Sequence, residues 1–547
     1  MRYPKRAMEA TARHTGAFLM RTPNMIFTPE QFDAESRQMA DATERFVREQ
    51  VMPYVKRLEH GEPAQMREIL VDSAMLGLLG IDVPQEFGGL GLPKTTSALI
   101  TEKTALQPSF AVAHAVHTSV GSLPLLLFGN EEQQHRYLPK LTSGEYIGAY
   151  ALTEPEAGSD ALAGRTRAER KGDHYIITGN KIWITNAGFA DLFVTFAKVD
   201  GERFTAFLVE RAPGVLVERE ERKLGLHGSS TCRVVFDRVE VPATNRLGEE
   251  GEGAHVALYT LNIGRFKIAA AAVGVAKEAW RLGYNYATER KQFGRRIIDY
   301  PLVWRKLVRN ATMLYAVESA LYRLADDLEH AFTANGMPRQ QVWREAAAHY
   351  AAECALLKVA ATEMLHQVVD DSLQVHGGYG FSEEYAIAGL YRDTRVNRIY
   401  EGTNEINRLN LVNRLVYALR KGVWTPVEGH ANAPDTPEAT LATLRTLTGN
   451  ALRAIEPYTE LPQAFVEPLT DALIALYLLE SAHLRAQQTQ NAAHQAMVAL
   501  YHEQVRRQLT SWSADLAELK QVPPITVPAQ PIAPLYEQVW SALRKTA

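Results

Sequence analysis

One carboxylate, Glu401, stands between an aromatic residue and a glycine, directly ahead of a helix-forming run. Thr403 or Asn404 could cap that helix, whose N-terminus would leave free backbone N–H groups and a positive dipole end. Gly402 removes a side chain where another group could approach the backbone closely. A carboxylate in this setting could act as a base beside a site able to polarise a carbonyl. A surface turn followed by a helix start explains the same residues, so the segment alone leaves both interpretations open.

Four other segments have features that a large cofactor could use. Residues 150–160 supply hydroxyls and a glycine turn, and Trp183 and Thr185 stand two apart, hence on one face of a strand. Residues 290–295 carry cations suited to a pyrophosphate. Residues 374–380 offer bare backbone amides for phosphate or ribityl oxygens.

Each of these segments also has a purely structural interpretation. Trp183 could be a core aromatic of a sheet, and the 290–295 cations could complement a helix C-terminus capped by Gly294. The pair Gly377-Gly378 could be only a turn between helices. The occurrence of all of them in this order favours a cofactor site over chance.

The N-terminal part of the chain has the periodicity of helices. Thr28-Pro29-Glu30 is a helix start, with a capping residue followed by proline. Apolar residues recur at three- and four-residue spacing over 30–60 and 64–79, and a glycine-rich loop follows at 84–91. We therefore predict a disordered leader over 1–27 and a helical domain over 28–147.

Beyond this domain the period changes to that of strands. Short β-branched or aromatic segments, separated by Gly, Asn, Asp or Pro, occur at 175–178, 181–185, 192–197, 204–209 and 233–241. No helical segment lies between them. The pattern predicts a small β-sandwich or barrel over 148–262.

The rest of the chain is again helical, with long amphipathic stretches at 302–330, 338–370 and 404–420. We predict a four-helix bundle over 263–422, a proline-containing linker over 423–437 and an extra helical domain over 438–547. The fold class is therefore α+β, mainly α.

Size and composition limit the possible functions. A chain of 547 residues is too long for one core and predicts about three or four domains. A net charge of −4 gives no general attraction to nucleic acid or to an anionic membrane. Cys232 and Cys354 belong to no Cys/His cluster, so we expect no disulfide, no metal site and a reducing, cytoplasmic location. The uncharged run 110–128 contains several polar residues, which favours a buried helix over a transmembrane segment.

In this order, the five segments resemble the acyl-CoA dehydrogenase family over about residues 28–420. The resemblance implies an N-terminal α domain, a middle β domain and a C-terminal four-helix domain, with FAD bound noncovalently between the β and α domains. In the family, the arginine and Gln-Gly-Gly segments reach the FAD of a neighbouring subunit, which implies a homodimer or homotetramer. The resemblance assigns the flavin to Tyr150, Leu152, Thr153, Ser159, Trp183, Ile184, Thr185, Arg290, Gln292, Phe293, Gln374, Gly377, Gly378, Thr403 and Glu405.

By the same resemblance, Glu401 is the catalytic base that removes the α-proton of an acyl thioester while the β-hydrogen leaves as hydride. A free carboxylate is too weak for this task, so the family adds hydrogen bonds to the thioester oxygen, and exclusion of water raises the pKa of the base. Some members carry the base at the position of Gly264, which cannot serve here. The acyl-CoA substrate is assigned to Ser159, Asn262, Arg265, Tyr400 and Gly402, although many relatives have aspartate where Asn262 stands.

The extension over 438–520 resembles the very-long-chain branch of the family. Its helices show no strongly basic face, so we expect packing on the main body rather than attachment to a membrane. The small residues Ala111, Ala113 and Ala115 could leave room for a long acyl chain, and plain helix packing explains them equally well. The implied reaction is oxidation of a medium- to long-chain acyl-CoA to the trans-2-enoyl-CoA in fatty-acid β-oxidation, with electrons passed to electron-transferring flavoprotein.

Three other functions are compatible with the same scaffold. Some relatives with a similar extension are assembly factors for a respiratory complex. A DNA-binding flavoprotein has the same fold, but the chain lacks the basic tail that it would need. An oxidase that passes electrons to oxygen would differ from a dehydrogenase by forming peroxide.

Overall fold

The computed structural model describes residues 15–59, 63–334, 336–427, 435–519, 522–528 and 530–546. These residues form two compact units. Unit 1 comprises Asp33–Lys267 and Leu328–Ala348, and unit 2 comprises the described parts of Met8–Phe32, Ile268–Asp327 and His349–Ala547. The predicted α+β class with mainly helices is confirmed.

The elements are numbered here in chain order. The described α-helices are α1 Ala17–Met20, α2 Ala34–Phe46, α3 Val55–Glu59, α4 Pro63–Ala74, α5 Lys94–Thr104, α6 Pro108–Ala115, α7 Leu123–Phe128, α8 Glu131–Ser143, α9 Gly253–Glu289, α10 Pro301–Phe332, α11 Arg339–His349, α12 Ala351–His376, α13 Ala386–Thr394, α14 Asn404–Arg420, α15 Pro437–Ile455, α16 Val466–Thr489, α17 Ala492–Ala517 and α18 Ala533–Thr546. The strands are β1 Gly148–Ala151, β2 Arg167–Lys171, β3 His174–Thr185, β4 Leu192–Val199, β5 Arg203–Glu210, β6 Val215–Glu220, β7 Thr231–Pro242, β8 Arg246–Leu247, β9 Lys291–Gln292 and β10 Arg295–Arg296.

The first long helix starts later than the sequence indicates. Asp33 caps α2 by accepting a hydrogen bond of 2.7 Å from the Ser36 N–H. Thr28 caps only a short 3₁₀ turn, Pro29–Gln31, through a capping box. The helix was expected to continue to residue 60, but Pro53, which lacks an N–H, lies in a 3₁₀ turn between α2 and α3.

The β part of unit 1 is an eight-stranded sheet with the order β6-β7-β3-β2-β4-β5-β8, and β1 pairs with β4. Tyr175–Thr178 and Lys181–Thr185 were predicted as separate strands, but they form the single strand β3. The prediction was wrong because Gly179, which seemed to mark a turn, instead adjoins a shift in register against β7. The short strands β1, β2, β6 and β8 were not predicted.

The helical part of unit 1 packs directly on the strand that leads into the candidate site. Gly121, in the π-helical turn after α6, and Gly148 of β1 approach so closely that a Cβ on Gly121 would lie 3.2 Å from the Gly148 Cα. The buried Asn186 donates hydrogen bonds to the carbonyls of Ala113 at 2.9 Å and Gly148 at 3.3 Å. These contacts fix the start of β1 relative to α6.

In unit 2 the C-terminal extension packs against the helices of the four-helix part. Glu480 of α16 accepts a hydrogen bond of 2.9 Å from Arg323 of α10 and is also paired with Arg445 of α15. Arg485 of α16 donates to Glu318 of α10 at 2.6 Å. The predicted packing of the extension on the main body is confirmed by these buried ion pairs.

The predicted leader is only partly a leader. Residues 1–14 lie outside the described residues. Phe18 of α1 is buried, and its ring centroid lies 5.4 Å from that of Tyr477 in α16. Thr22 donates a hydrogen bond of 2.6 Å to Glu480. The prediction of disorder is therefore wrong for residues 15–27.

In the predicted linker over 423–437, Trp424 is buried and donates from Nε1 to the Leu415 carbonyl at 3.0 Å. Residues 428–434 of that linker lie outside the described residues, and α15 begins at Pro437, capped by Thr436.

Two helical stretches among the described residues are long and apolar enough to cross a membrane by length and composition alone. They are Pro108–Phe128 and Gly253–Glu289. In the most apolar 18-residue window of each stretch, 83% and 78% of the window is buried, respectively. Burial to this extent is typical of core helices in a folded protein.

Candidate active site

In unit 1, the loop after β1 is fixed to β3 by a buried ion pair. The Lys181 ammonium lies 2.7 Å from Glu154 Oε1 and donates a second hydrogen bond of 3.2 Å to the Leu152 carbonyl. The Ile182 N–H donates to the Thr153 carbonyl at 2.9 Å. Backbone and side chain together therefore hold the predicted flavin loop against the strand that carries Trp183.

Glu154 also accepts backbone hydrogen bonds from Arg165 at 2.5 Å and Thr166 at 3.1 Å. Burial opposes ionisation of this carboxyl, but the Lys181 ammonium and these hydrogen bonds hold its pKa below the ordinary value. Burial also lowers the pKa of Lys181 to about 8, although Glu154 acts in the opposite direction. The sequence contains one hint of this pair, since Lys181 begins an otherwise apolar strand segment.

Trp183 has an uncommon backbone conformation for a strand residue. Its φ is +58°, and it lies where the pairing of β3 with β7 shifts register between Lys181 and Ile184. Its side chain is 55% exposed, whereas Ile184 is buried and Thr185 is half-buried. A large exposed aromatic at a bulge in the left-handed region is typical of a binding site and excludes the core-aromatic interpretation.

The residues assigned to the acyl-CoA in unit 1 differ in exposure. Ser159 is exposed, while Arg265 is buried and donates a hydrogen bond of 2.9 Å to Asn262 Oδ1. Asn262 is fully buried, and its Nδ2 donates to the Ala347 carbonyl at 3.0 Å. Asn262 thus orients Arg265, and the assignment of both residues to the substrate remains a prediction.

In unit 2, residues 290–295 do not form a capped helix end. The helix α9 ends at Glu289, and β9 and β10 form a two-residue hairpin in which Gln292 pairs with Arg295. Both turn residues have positive φ, +52° at Phe293 and +82° at Gly294, as a type I′ turn requires. The turn leaves the Phe293 side chain 94% exposed.

The hairpin lies beside the glycine-rich segment that follows α12. The Arg290 guanidinium is 5.6 Å from the centroid of the Tyr379 ring. Gly377 has φ +60° and ψ −138°, a conformation for glycine, and a Cβ on Gly377 or Gly378 would meet no atom within 4 Å. Gln374 is exposed. Unit 2 thus brings the predicted pyrophosphate cation and the open backbone amides together.

Glu401 occupies the left-handed region of backbone space. Its φ is +52°, and that of Gly402 is +86°. For a residue with a Cβ this conformation costs about 1–2 kcal/mol and persists only where the surroundings impose it. The side chain is half-buried.

Two side chains hold this turn in place. The buried Lys358 of α12 donates from Nζ to the Gly402 carbonyl at 3.0 Å and to Asn404 Oδ1 at 2.9 Å. Asn407 of α14 donates to the same Gly402 carbonyl at 2.7 Å. Thr403 is the N-cap of α14, accepting from the Ile406 N–H at 3.3 Å. Sequence reasoning missed Lys358 and Asn407, although Lys358 is a lone charged residue in an apolar helical stretch.

Two side chains close to Glu401 in the chain have shifted pKa values. Burial, followed by the Glu401 carboxylate, raises the pKa of Tyr400 above its ordinary value. The Tyr400 hydroxyl donates to Asn397 Oδ1. The hydrogen bond with Thr403 lowers the pKa of Glu405, which is exposed in the first turn of α14. The assignments of these residues to cofactor and substrate remain predictions.

Three family models match consecutive parts of the chain. The acyl-CoA dehydrogenase N-terminal domain matches residues 33–145, the middle domain residues 149–239 and the C-terminal domain residues 251–416. The chain belongs to the acyl-CoA dehydrogenase family. Members are FAD-dependent oxidoreductases that act on CH–CH bonds, and the resemblance noted from the sequence is confirmed.

One solved structure is similar over nearly the whole chain, and sequence relatives match about three quarters of it or less. The crystal structure of an acyl-CoA dehydrogenase complexed with FAD from Bacillus anthracis is similar with a TM-score of 0.90 and 34% identity, over 97% of this chain and 99% of that chain. A probable acyl-CoA dehydrogenase of Bacillus subtilis is 45% identical over 76% of this chain and 71% of its own length. The very long-chain specific acyl-CoA dehydrogenase of Bos taurus mitochondria is 37% identical over 70% of this chain and 59% of its own length.

Proposed function

We propose that the chain oxidises medium- to long-chain saturated acyl-CoA thioesters to trans-2-enoyl-CoA in fatty-acid β-oxidation, with Glu401 as the catalytic base. The observation that carries the proposal is the left-handed turn at Glu401, which Lys358 and Asn407 hold directly before a capped helix N-terminus. Backbone strain of this kind clusters at active sites and ligand clamps. It is typical of a residue whose orientation matters for chemistry.

The residues of each unit fit the cofactor of the family. Trp183 offers a half-exposed aromatic surface for a flat ring system, and Thr153 and Thr185 supply hydroxyls at the same end of β3. Arg290 and the open amides of Gly377-Gly378 suit a pyrophosphate. FAD, when bound, accepts the β-hydrogen of the thioester as hydride.

The chain itself contributes the proton acceptor and its surroundings. Glu401 takes the α-proton on a carboxylate oxygen, and exclusion of water by the acyl chain raises its basicity. The N-terminus of α14 and the Glu401 backbone amide stabilise negative charge on the thioester oxygen. Arg265, oriented by Asn262, and Ser159 bind the CoA arm, and Tyr400 and Gly402 border the acyl group.

The direct test is Glu401→Gln, which keeps the shape of the side chain and removes the base. We expect turnover to fall by about 10³-fold or more while FAD content and flavin absorbance stay unchanged. Glu384→Gln, an exposed change of the same type in unit 2, serves as the control. Full activity in Glu401→Gln would refute the role of this residue, and an assembly factor would show no turnover even in the unaltered protein.

The chain-length preference is tested by anaerobic titration with acyl-CoAs from C4 to C20, read as bleaching of flavin absorbance. Ala111 is buried in α6, and Ala113 belongs to the apolar core of the helical part of unit 1. Helix packing alone explains the small side chain at Ala113. The proposed preference for longer acyl chains therefore rests on the family relationship. Bleaching confined to C4 and C6 would contradict it.

We further propose electron-transferring flavoprotein as the electron acceptor, a second copy of this chain as a partner and the cytoplasm, free or peripheral to the membrane, as the location. The exposed side chains of Phe293 and Phe381, at 94% and 89%, favour a contact between copies. Peroxide formation equal to turnover would instead identify an oxidase. A monomer in light scattering would exclude the oligomer.

A further inference from the structure

Unit 2 contains a cavity of about 600 Å³ between the four-helix part and the extension. Its walls come from α10, α12, α16 and α17, with Arg408 of α14 and Tyr536 of α18 completing them. Small-molecule sites have volumes of roughly 300–1,000 Å³. None of the residues assigned to flavin or thioester lines this cavity, which makes it a separate site.

The cavity wall contains polar groups whose hydrogen-bonding capacity is unused. Asn310 of α10 is 1% exposed, and neither its Oδ1 nor its Nδ2 has a hydrogen-bond partner among the described residues. The buried Nε of its neighbour Arg309 likewise has none within the described part of the chain. Burial of an amide without a partner costs free energy, so an additional hydrogen-bonding group at this wall would be stabilising.

Beside the cavity, one group of ionised side chains carries one positive charge in excess. Arg408 is paired with Asp471, and Glu363 with Arg398. Asp371 is shared by two cations, Lys306 at 2.7 Å and Arg309 at 2.5 Å. Of the group formed by Lys306, Asp371 and Arg309, only Arg309 lines the cavity, next to Asn310 in the chain, and the charged residues of the lining itself balance.

The rest of the lining is apolar and adaptable. Met313 of α10 and Met364 of α12 are unbranched and can adjust to the shape of an apolar chain. Leu478 of α16 and Trp512 of α17 complete this part of the wall from the extension. Gln367 and Gln508 are exposed and mark the mouth.

We propose that the cavity binds an amphipathic monocarboxylate, with the carboxylate at Arg309 and Asn310 and the apolar chain along Met313, Met364 and Trp512. An anionic head compensates the excess cation and accepts hydrogen bonds from Arg309 Nε and Asn310 Nδ2. The ligand contacts both the four-helix part and the extension. Its binding therefore stabilises the attachment of the extension within unit 2.

The fluorescence of the Trp512 indole reports binding at the site itself. The FAD-loaded full chain is titrated with a dibrominated decanoate, whose bromine quenches indole fluorescence at short range. We expect saturable quenching that disappears in Trp512→Phe, with the methyl ester of the same probe binding about 10-fold or more weakly because it lacks the charge. Quenching that survives Trp512→Phe comes from another tryptophan, such as Trp183, and overturns the proposal.

Two further variants test the two halves of the ligand. Asn310→Asp places a negative charge at the proposed carboxylate position and should weaken binding about 10- to 100-fold. Asn285→Asp adds the same charge on an exposed face of α9 and should leave binding unchanged. Met313→Trp fills the cavity without altering charge and should abolish binding. Unchanged affinity in Asn310→Asp or in Met313→Trp refutes the site. If one of these two variants fails to fold, the quenching test with the conservative change Trp512→Phe still decides where the probe binds.

Discussion

Lys358→Met tests whether the left-handed turn at Glu401 is imposed by its surroundings. The substitution keeps the length of the side chain and removes the ammonium that bonds the Gly402 carbonyl at 3.0 Å and Asn404 Oδ1 at 2.9 Å. A hydrogen bond to a charged group contributes about 1.5–3 kcal/mol. The left-handed conformation of Glu401 costs about 1–2 kcal/mol. The free energy lost with one such hydrogen bond is thus comparable to the strain energy of Glu401. Without the Lys358 ammonium, the backbone at Glu401 should therefore relax from the left-handed conformation.

Since 1.4 kcal/mol corresponds to a factor of ten, we expect kcat to fall by roughly 10- to 100-fold. The KM for acyl-CoA should change less than threefold or so, because Lys358 acts on the orientation of the base rather than on binding of the CoA arm. Steady-state kinetics with equal FAD content in both proteins is the measurement. Lys421→Met, the same change at an exposed residue after α14, is the control and should have no effect.

A double-mutant cycle with Asn407→Leu sharpens the test. Both side chains donate to the Gly402 carbonyl, so their effects on kcat should be non-additive, and the second substitution should cost less than it does alone. If Lys358→Met keeps kcat within about twofold of the unaltered protein, the turn does not depend on this clamp. Strain at Glu401 would then not be what orients the base for catalysis.

Three other perturbations follow from the structure. Lys181→Met leaves the Glu154 carboxylate buried without its cation, so we expect an unfolding free energy lower by about 3 kcal/mol and weaker FAD retention. Adding Glu154→Gln in the same background should restore part of the stability and part of the FAD retention. Denaturant titration measures the stability, and flavin absorbance measures the retained FAD. Burial lowers the pKa of His114 to about 4, whereas a histidine in the unfolded chain titrates near 6.5. The unfolding free energy should therefore fall by up to about 3 kcal/mol as the pH is lowered from about 6.5 to 4. His114→Gln should make the unfolding free energy depend less on pH, and the exposed change His135→Gln should not. Gly402→Ala, at φ +86°, should cost about 1–2 kcal/mol in thermal or chemical unfolding and lower kcat, whereas an unchanged kcat would show that the turn tolerates a Cβ.

The sequence predicts those elements whose signal is local. The spacing of apolar residues indicates a helix over 302–330 and another over 404–420, and the structure has them at Pro301–Phe332 and Asn404–Arg420. The segments of the candidate site are recognisable for a similar reason, because their glycines and polar residues interrupt these periods.

The geometry of the site depends on contacts between distant residues. Lys181 and Glu154 are 27 positions apart, and Lys358 lies 44 positions before the carbonyl that it holds. Periodicity carries no information about such pairs. The bulge at Trp183 is likewise a result of pairing between β3 and β7, so the sequence of β3 alone predicts a regular strand.

The ion pairs of unit 2 bear on how members of this family can lose or gain their last helices. The match to the family models ends at residue 416, yet Glu318 and Arg323, well inside that limit, find partners in Arg485 and Glu480 beyond it. A chain cut at the family limit would leave Glu318 paired with Lys277 but would remove Glu480 from Arg323 and expose both positions to water. Natural homologues that stop there have no Glu480 to pair with an arginine at position 323, so this position and the tail should have changed together during evolution, whereas the Lys277–Glu318 pair can persist without the tail.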